Sequence, residues 1–243
     1  MLRKFRYQLI HGVNRLLLRK RLALTPSLAG LSRRPLVDLA EHSHDYVRFA
    51  MWELLAHEIN EAGLPGAVAE LGVYRGRSAA LLNRLFPDRT LYLFDTFDGF
   101  DGRDLAVEAA AGYSAAKIEF QDTSVEQVLA RMAFPERCVV RAGYFPETAA
   151  GLEDQFAFVS LDADLYQPLL DGLRTFYPRL VVGGAIFVHD YNHQKFTGAK
   201  AAVREFCQQE NVQFLPIPDT AGSAVIQKQG ERTSHGNTLR RSA

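Results

Sequence analysis

The pattern of apolar and polar positions changes its period along the chain. Between residues 45 and 62, Val47, Met51, Leu54, Leu55 and Ile59 recur at helical spacing, which predicts an amphipathic helix with a polar outer face. From residue 67 short continuous apolar runs take over, at 67–71, 90–94, 138–141, 156–161 and 185–188. Helical patterns separate some of them, one at 78–85 and one carrying Leu169, Leu170, Leu173, Phe176, Tyr177 and Leu180 on a single stripe. Apolar strands alternating with helices predict a parallel sheet buried on both faces. A helix at 198–209 precedes two more runs, 212–217 and 223–227, joined by a few turn residues that include Pro218, Asp219 and Gly222. That link is too short for a parallel crossover, so this pair is expected to be antiparallel. The expected fold is therefore an α/β three-layer sandwich: five parallel strands closed by an antiparallel C-terminal hairpin, seven strands in all. A dinucleotide dehydrogenase would instead repeat the βαβ pattern in its second half. The connection between Asp95 and Cys138 is several times the usual length and predicts a lid-like insertion near 96–135, with a helical run at 125–132.

Composition narrows the partners. The 28 basic and 28 acidic residues cancel, yet residues 1–37 hold nine basic residues and no acid. Residues 38–227 carry a net charge of −12. An acidic body argues against nucleic acid, which needs a basic face. The chain is expected to comprise a basic arm (1–37), one domain (38–228) and a flexible tail (229–243). The arm is suited to docking in a homo-oligomer or to peripheral contact with an anionic membrane surface. Its longest apolar run, residues 16–18, is too short for a signal peptide. No window of about 18 apolar residues exists to span a bilayer. Cys138 and Cys207 fall in apolar stretches and read as buried reduced thiols, consistent with a cytoplasmic location.

Ligands of open α/β sheets bind beyond the carboxyl ends of the strands. Here those ends read Glu70-Leu71-Gly72, Asp95, Asp162 with Asp164, and His189-Asp190. The first turn, 69–78, has glycines at 72 and 76 where backbone can approach a ligand, and a following helix N-terminus that can receive an anion. Asp95 lies 23 residues after Gly72, near the spacing at which an acid accepts hydrogen bonds from a ribose diol.

Three segments, AELGVYRGRSAALL (69–82), LYLFDTFDGF (91–100) and FVSLDADLYQPLLDGLRTFYPRLVVGGAIFVHDYN (158–192), resemble the macrocin O-methyltransferase family. Members are class I S-adenosylmethionine-dependent enzymes that methylate sugar hydroxyls, and the first turn is also similar to catechol O-methyltransferases. The resemblance spans about residues 40–228. It implies S-adenosyl-L-methionine as cofactor, with Glu70, Gly72, Tyr74, Gly76 and Ser78 in the methionine-binding turn. Asp95 would hold the ribose, with Thr96 and Phe97 beside it, and Gly143-Tyr144-Phe145 would line the adenine. Asp162 would touch both cofactor and a divalent metal, whose remaining ligands come from the pair His189-Asp190.

That pair departs from the two acidic or amide residues common in the family. Magnesium is the metal the family implies, but imidazole suits manganese, iron or zinc better. His189 either ligates or merely orients Asp190. Asp164 is the candidate general base, its alternative being the N-cap of a helix beginning near Tyr166; His189, His193 and Lys195 are the other candidates. The loop Tyr191-Asn192-His193-Gln194 is a candidate acceptor surface. The acceptor expected is a small molecule or glycan hydroxyl. A phenol-methylating enzyme and a non-catalytic cofactor-binding domain are the competing readings.

Overall fold

The computed structural model divides into two compact units, Met1–Pro35 and Leu36–Ala243. It describes residues 42–230, together with Val37 and, in the first unit, Gly12, Val13 and Leu17. The expectations for the basic arm and the tail therefore fall almost wholly outside the described residues. Val37, assigned to the arm, is buried in the core of the second unit and donates its N–H to Glu53 Oε2 at 3.1 Å.

The second unit begins with α1 (Tyr46–Glu61), entered through a 3₁₀ turn at Ser43–Asp45. Then follow β1 (Ala67–Leu71), α2 (Arg77–Leu85), β2 (Leu91–Asp95), α3 (Gly102–Ala111), α4 (Val125–Leu129), β3 (Cys138–Ala142) and β4 (Phe156–Leu161). The chain closes with α5 (Tyr166–Phe176), β5 (Leu180–Val188), α6 (Gly198–Gln209), β6 (Leu215–Ile217) and β7 (Ser223–Gln227). The strands form one sheet in the order β3-β2-β1-β4-β5-β7-β6. The first five are mutually parallel, and β7 runs antiparallel to both β5 and β6. This is the fold expected. Alternate strand residues feed two cores: Ala69, Phe94, Val159 and Ile186 join α5 and α6 on one face, and Val68, Leu93, Phe158 and Phe187 join α1 and α2 on the other.

Three elements differ from the pattern reading. The buried stripe of α1 is Phe49, Trp52, Ala56 and Ile59, while Val47 is 39% exposed. Aromatic area decides this: Trp52 packs edge-on against Phe158 and Phe187 of the sheet, burying more apolar surface than the aliphatic stripe would. Secondly, Leu180 belongs to β5 and not to the preceding helix, which ends at Phe176. The strand starts early and steps in register between Leu180 and Ala185, with Gly183 at φ +88°. An added Cβ on Gly184 would stand 2.9 Å from the Ala157 carbonyl oxygen, so the step requires glycine. Thirdly, β6 is confined to 215–217 at the sheet edge, where Leu215 is exposed and Pro216 lacks a donor.

The long insertion is ordered by its own caps. The Asp101 side chain accepts from Arg103 N–H at the start of α3, and Ser124 from Gln127 N–H at the start of α4. Glu108, fully buried on α3, accepts the Tyr166 N–H at 2.8 Å. The N-cap position of α5 is Leu165, without a side-chain cap, so the alternative of Asp164 as N-cap is not realised. Cys207 is buried, Cys138 half-buried, and both are free thiols. Among the described residues no helix is long and apolar enough to cross a membrane.

Candidate active site

The order of the sheet reverses between β1 and β4, and the carboxyl ends of β1, β2, β4 and β5 open there onto a cleft of about 490 Å³.

One end of the cleft is built by β1 and β2. Glu70 is fully buried in β1 and, like Gly76, does not line the cleft; neither of its oxygens makes a well-aligned hydrogen bond. Burial pushes its carboxyl up to about 8, against a weaker pull from the Ser78 hydroxyl. Gly72, at φ +85°, is required by the fold itself: an added Cβ would overlap the Asp162 carbonyl oxygen, because Leu71 and Asp162 are hydrogen-bonded across the switch point. Gly76 is the left-handed N-cap of α2, no side chain caps that helix, and its first residues, Arg77 and Ser78, line the cleft. Asp95 Oδ2 accepts the N–H groups of Val73 and Tyr74 at 2.7 and 2.8 Å, and Oδ1 that of Phe97 at 2.7 Å. The acid thus stitches the two strand ends together. Tyr74, Ser78, Asp95, Thr96, Tyr144 and Phe145 all line the cleft. Phe97 does not: its ring packs into the core on the α2 side. Tyr144 donates to Asp104 Oδ1 at 3.0 Å, and burial raises the Asp104 carboxyl to about 6.

The other end is ionic. His189 Nδ1 lies 2.9 Å from Asp162 Oδ1 and 3.0 Å from Asp190 Oδ2. One donor atom from each of these three residues falls within 4.8 Å of the others. Two carboxylate oxygens and an imidazole nitrogen at that spacing suit a divalent cation of borderline softness. Asp164 stands half-buried beside them on the cleft wall, its carboxyl held well above the usual range by desolvation and by the charges of Asp190 and Asp162. Asp162 is held well below that range despite its burial, because His189 and Arg48 face it. Burial alone would lower the imidazole, but Asp162, Asp190 and Asp45 raise it to about 12. Asp164 and Asp190 have φ of 58° and 56°, backbone states rarely adopted outside glycine and typical of sites where side-chain direction is imposed.

The pattern reading missed several participants. Asp45 and Arg48, from the start of α1, reach the ionic end. His44 and Phe49 line the cleft as well. A run of ring contacts, His193–Phe196–Phe100–Phe120–Tyr74, forms one wall with centroid separations of 5.0–5.9 Å. Of the loop expected to face an acceptor, His193 alone lines the cleft. Tyr191 is buried against Phe214, Asn192 accepts from Lys200, and Lys195 pairs with Glu119 at 2.5 Å.

Residues 42–226, most of the chain and the whole of this cleft, match the family model for macrocin O-methyltransferase (TylF). The chain belongs to that family. The matched span takes in Asp45 and Arg48 as well as the three segments of the sequence resemblance. Among related proteins, the demethyldecarbamoylnovobiocin O-methyltransferase of Streptomyces niveus is 28% identical over 142 residues, 53% of each chain. The 8-demethyl-8-(2,3-dimethoxy-alpha-L-rhamnosyl)-tetracenomycin-C 4'-O-methyltransferase of Streptomyces olivaceus is 26% identical over 68% of this chain and 66% of its own. The chain thus matches only about half to two thirds of the length of these relatives. In fold, this macrocin O-methyltransferase family member is similar to the O-methyltransferase NovP, with a TM-score of 0.62 at 21% identity, covering 76% of this chain and 81% of NovP. CalS11, a calicheamicin methyltransferase, gives 0.61 at 22% identity over 74% and 78%.

Proposed function

We propose that this protein is an S-adenosylmethionine-dependent O-methyltransferase whose acceptor is a sugar hydroxyl of a glycosylated small molecule. The observation that carries the reading is the two-ended cleft. An uncapped helix N-terminus and a ribose-type acid stand at one end, and a half-buried carboxyl beside a three-residue donor set at the other. The uncapped α2 N-terminus fits the donor's carboxylate, and Asp95, which lines the cleft, keeps one lone pair of Oδ1 for a ribose hydroxyl. Tyr144, with Asp104 behind it, flanks the adenine position. The names of the relatives favour a sugar hydroxyl over a phenol, and the wall from His193 to Tyr74 offers the aromatic surface on which sugar rings pack.

Methyl transfer moves CH₃ from the sulfonium to the acceptor oxygen, forming O–C, breaking S–C and leaving a neutral thioether. The hydroxyl proton must leave as O–C forms. Asp164 is the group for it: on the cleft wall, adjacent to the donor set, and more basic than an ordinary carboxylate. Asp162, His189 and Asp190 would hold a divalent cation, manganese or magnesium. When bound, that ion supplies a positive charge that orients the acceptor oxygen and stabilises its developing negative charge. The basic arm, an oligomeric assembly and a cytoplasmic setting remain part of the proposal as its surroundings.

The test is methyl transfer from labelled S-adenosylmethionine to glycosylated acceptors and to catechols, before and after chelation. Transfer to sugars that falls on chelation and returns with Mn²⁺ is expected, and Asp164→Asn should lower turnover by about 10²–10⁴-fold with donor affinity retained. Transfer to catechols alone would overturn the acceptor class. Full activity after exhaustive chelation would overturn the metal.

A further inference from the structure

Asp45 occupies the N-cap position of α1 but makes no cap hydrogen bond. Its carboxylate is turned inward instead, with the residue 4% exposed. Oδ1 accepts the Thr220 N–H at 3.1 Å, from the turn between β6 and β7. Oδ2 lies 2.6 Å from Arg48 Nε and 3.4 Å from His189 Nε2. Arg48, itself buried, donates from Nη1 to Asp162 Oδ2 at 2.7 Å. Asp162 Oδ1 then faces His189 Nδ1, closing a ring of four side chains: Asp45, Arg48, Asp162, His189.

The ring divides the labour of two bifunctional groups. Arg48 takes one oxygen of Asp162, leaving the other for the cleft. Asp45 faces one nitrogen of His189, leaving the other beside Asp162 and Asp190. His189 Nε2 is buried and has no hydrogen-bond partner of good geometry; Asp45 Oδ2 is the acceptor within reach. A histidine whose far nitrogen faces a carboxylate is fixed in tautomer and ring orientation, the arrangement by which proteins aim imidazole at a cation.

We propose that Asp45 is a positioning residue that holds the Nε2–H of His189, so that Nδ1 is presented with Asp162 Oδ1 and Asp190 Oδ2 as one donor face. The inference rests on the metal reading proposed above. It assigns the start of α1 to the active centre, and it gives the imidazole a support that an acidic residue at position 189 would not need.

Two readouts on the full chain test it. The first is Mn²⁺ affinity, measured by electron paramagnetic resonance without donor or acceptor. Asp45→Asn keeps the side-chain shape, but its amide can serve Thr220 N–H or His189 Nε2–H, not both. Asp45→Asn and Asp45→Ala should each weaken Mn²⁺ binding about 10- to 100-fold. In a His189→Asp background, removing Asp45 should cost less than about twofold, since nothing remains for it to orient. Equal losses in both backgrounds, or no loss in either, would overturn the proposal. The second readout needs no metal: the Nε2 proton of His189 in ¹⁵N-histidine spectra, assigned with His189→Gln. It should be hydrogen-bonded and slowly exchanging in the unaltered protein, and fast-exchanging in Asp45→Ala under conditions where that variant is still folded. Its persistence in Asp45→Ala would overturn the proposal. If the unaltered protein binds no Mn²⁺, the metal reading alone falls, and this proton signal decides the role of Asp45.

Discussion

Single residues at the strand ends do two jobs, and the structural job is the more visible. Asp95 gathers the N–H groups of Val73, Tyr74 and Phe97, and Tyr74 and Phe97 have φ of 47° and 55°. Such backbone states cost about 1–3 kcal/mol each and persist only where surrounding bonds hold them. Asp95 supplies those bonds, so an acid at the end of β2 fastens the turn after β1. Glu70, in β1 itself, is held by burial. Its carboxyl is pushed from an ordinary 4.5 up to about 8 by burial. As pH rises from 4.5 to 8, the unfolded chain releases this proton and the folded chain keeps it. The folded state is then the one binding more protons, so this contribution to stability is full at low pH and is lost as pH rises through 8. Glu70→Gln should remove that component. Denaturant unfolding at pH 5 and pH 8 should show a smaller drop in stability than in the parent, by an amount on the order of a few kcal/mol.

At the scale of elements, the insertion between β2 and β3 is fastened to the sheet's helices by one buried acid. Glu108 accepts the Tyr166 N–H at the start of α5, and its Oε1 would lie 2.5 Å from a Cβ added to Gly198, the first residue of α6. A carboxylate between two helix N-termini is favoured by both dipoles. It also holds α3, and with it Asp104, against the cleft. Glu108→Ala should leave the Tyr166 donor buried and unpaired, costing about 1–3 kcal/mol. Hydrogen exchange should quicken in α3 and the first turn of α5, and not in β1 or β4. Uniform exchange across the chain, or none gained in α3, would show that the insertion is held by other contacts.

At the scale of the molecule, the unit from Leu36 onward contains both cores, the cleft and every residue of the candidate site described here. Deleting residues 1–35 should preserve S-adenosylhomocysteine affinity, measured by calorimetry, while changing assembly or surface attachment. The cut should fall before Leu36, because Val37 is buried against α1 and tied to Glu53. A truncated chain that fails to fold would make the arm part of the core.

Legibility along the chain follows the range of the interactions. Strand periodicity, the short final connection and the block Leu161-Asp162-Ala163-Asp164 are local, so the parallel sheet, its antiparallel closure and the strand-end acids were readable from sequence alone. A run of apolar residues ending in an acid has few other uses in an α/β chain. Asp45 and Arg48 were not readable. At spacing i,i+3 on a helix they look like a solvated ion pair, and Asp162, the partner that buries Arg48, lies 114 residues away. The same holds for Glu108, whose partner is 58 residues on, and for the wall joining Phe100, Phe120 and Phe196. The sequence by itself determined the sheet, the glycine turn after β1 and the acids at the sheet's edge, because each is set by neighbours within a few residues. Only the tertiary structure decided which face of α1 is buried and which side chains hold those acids, because both depend on what the sheet places opposite them.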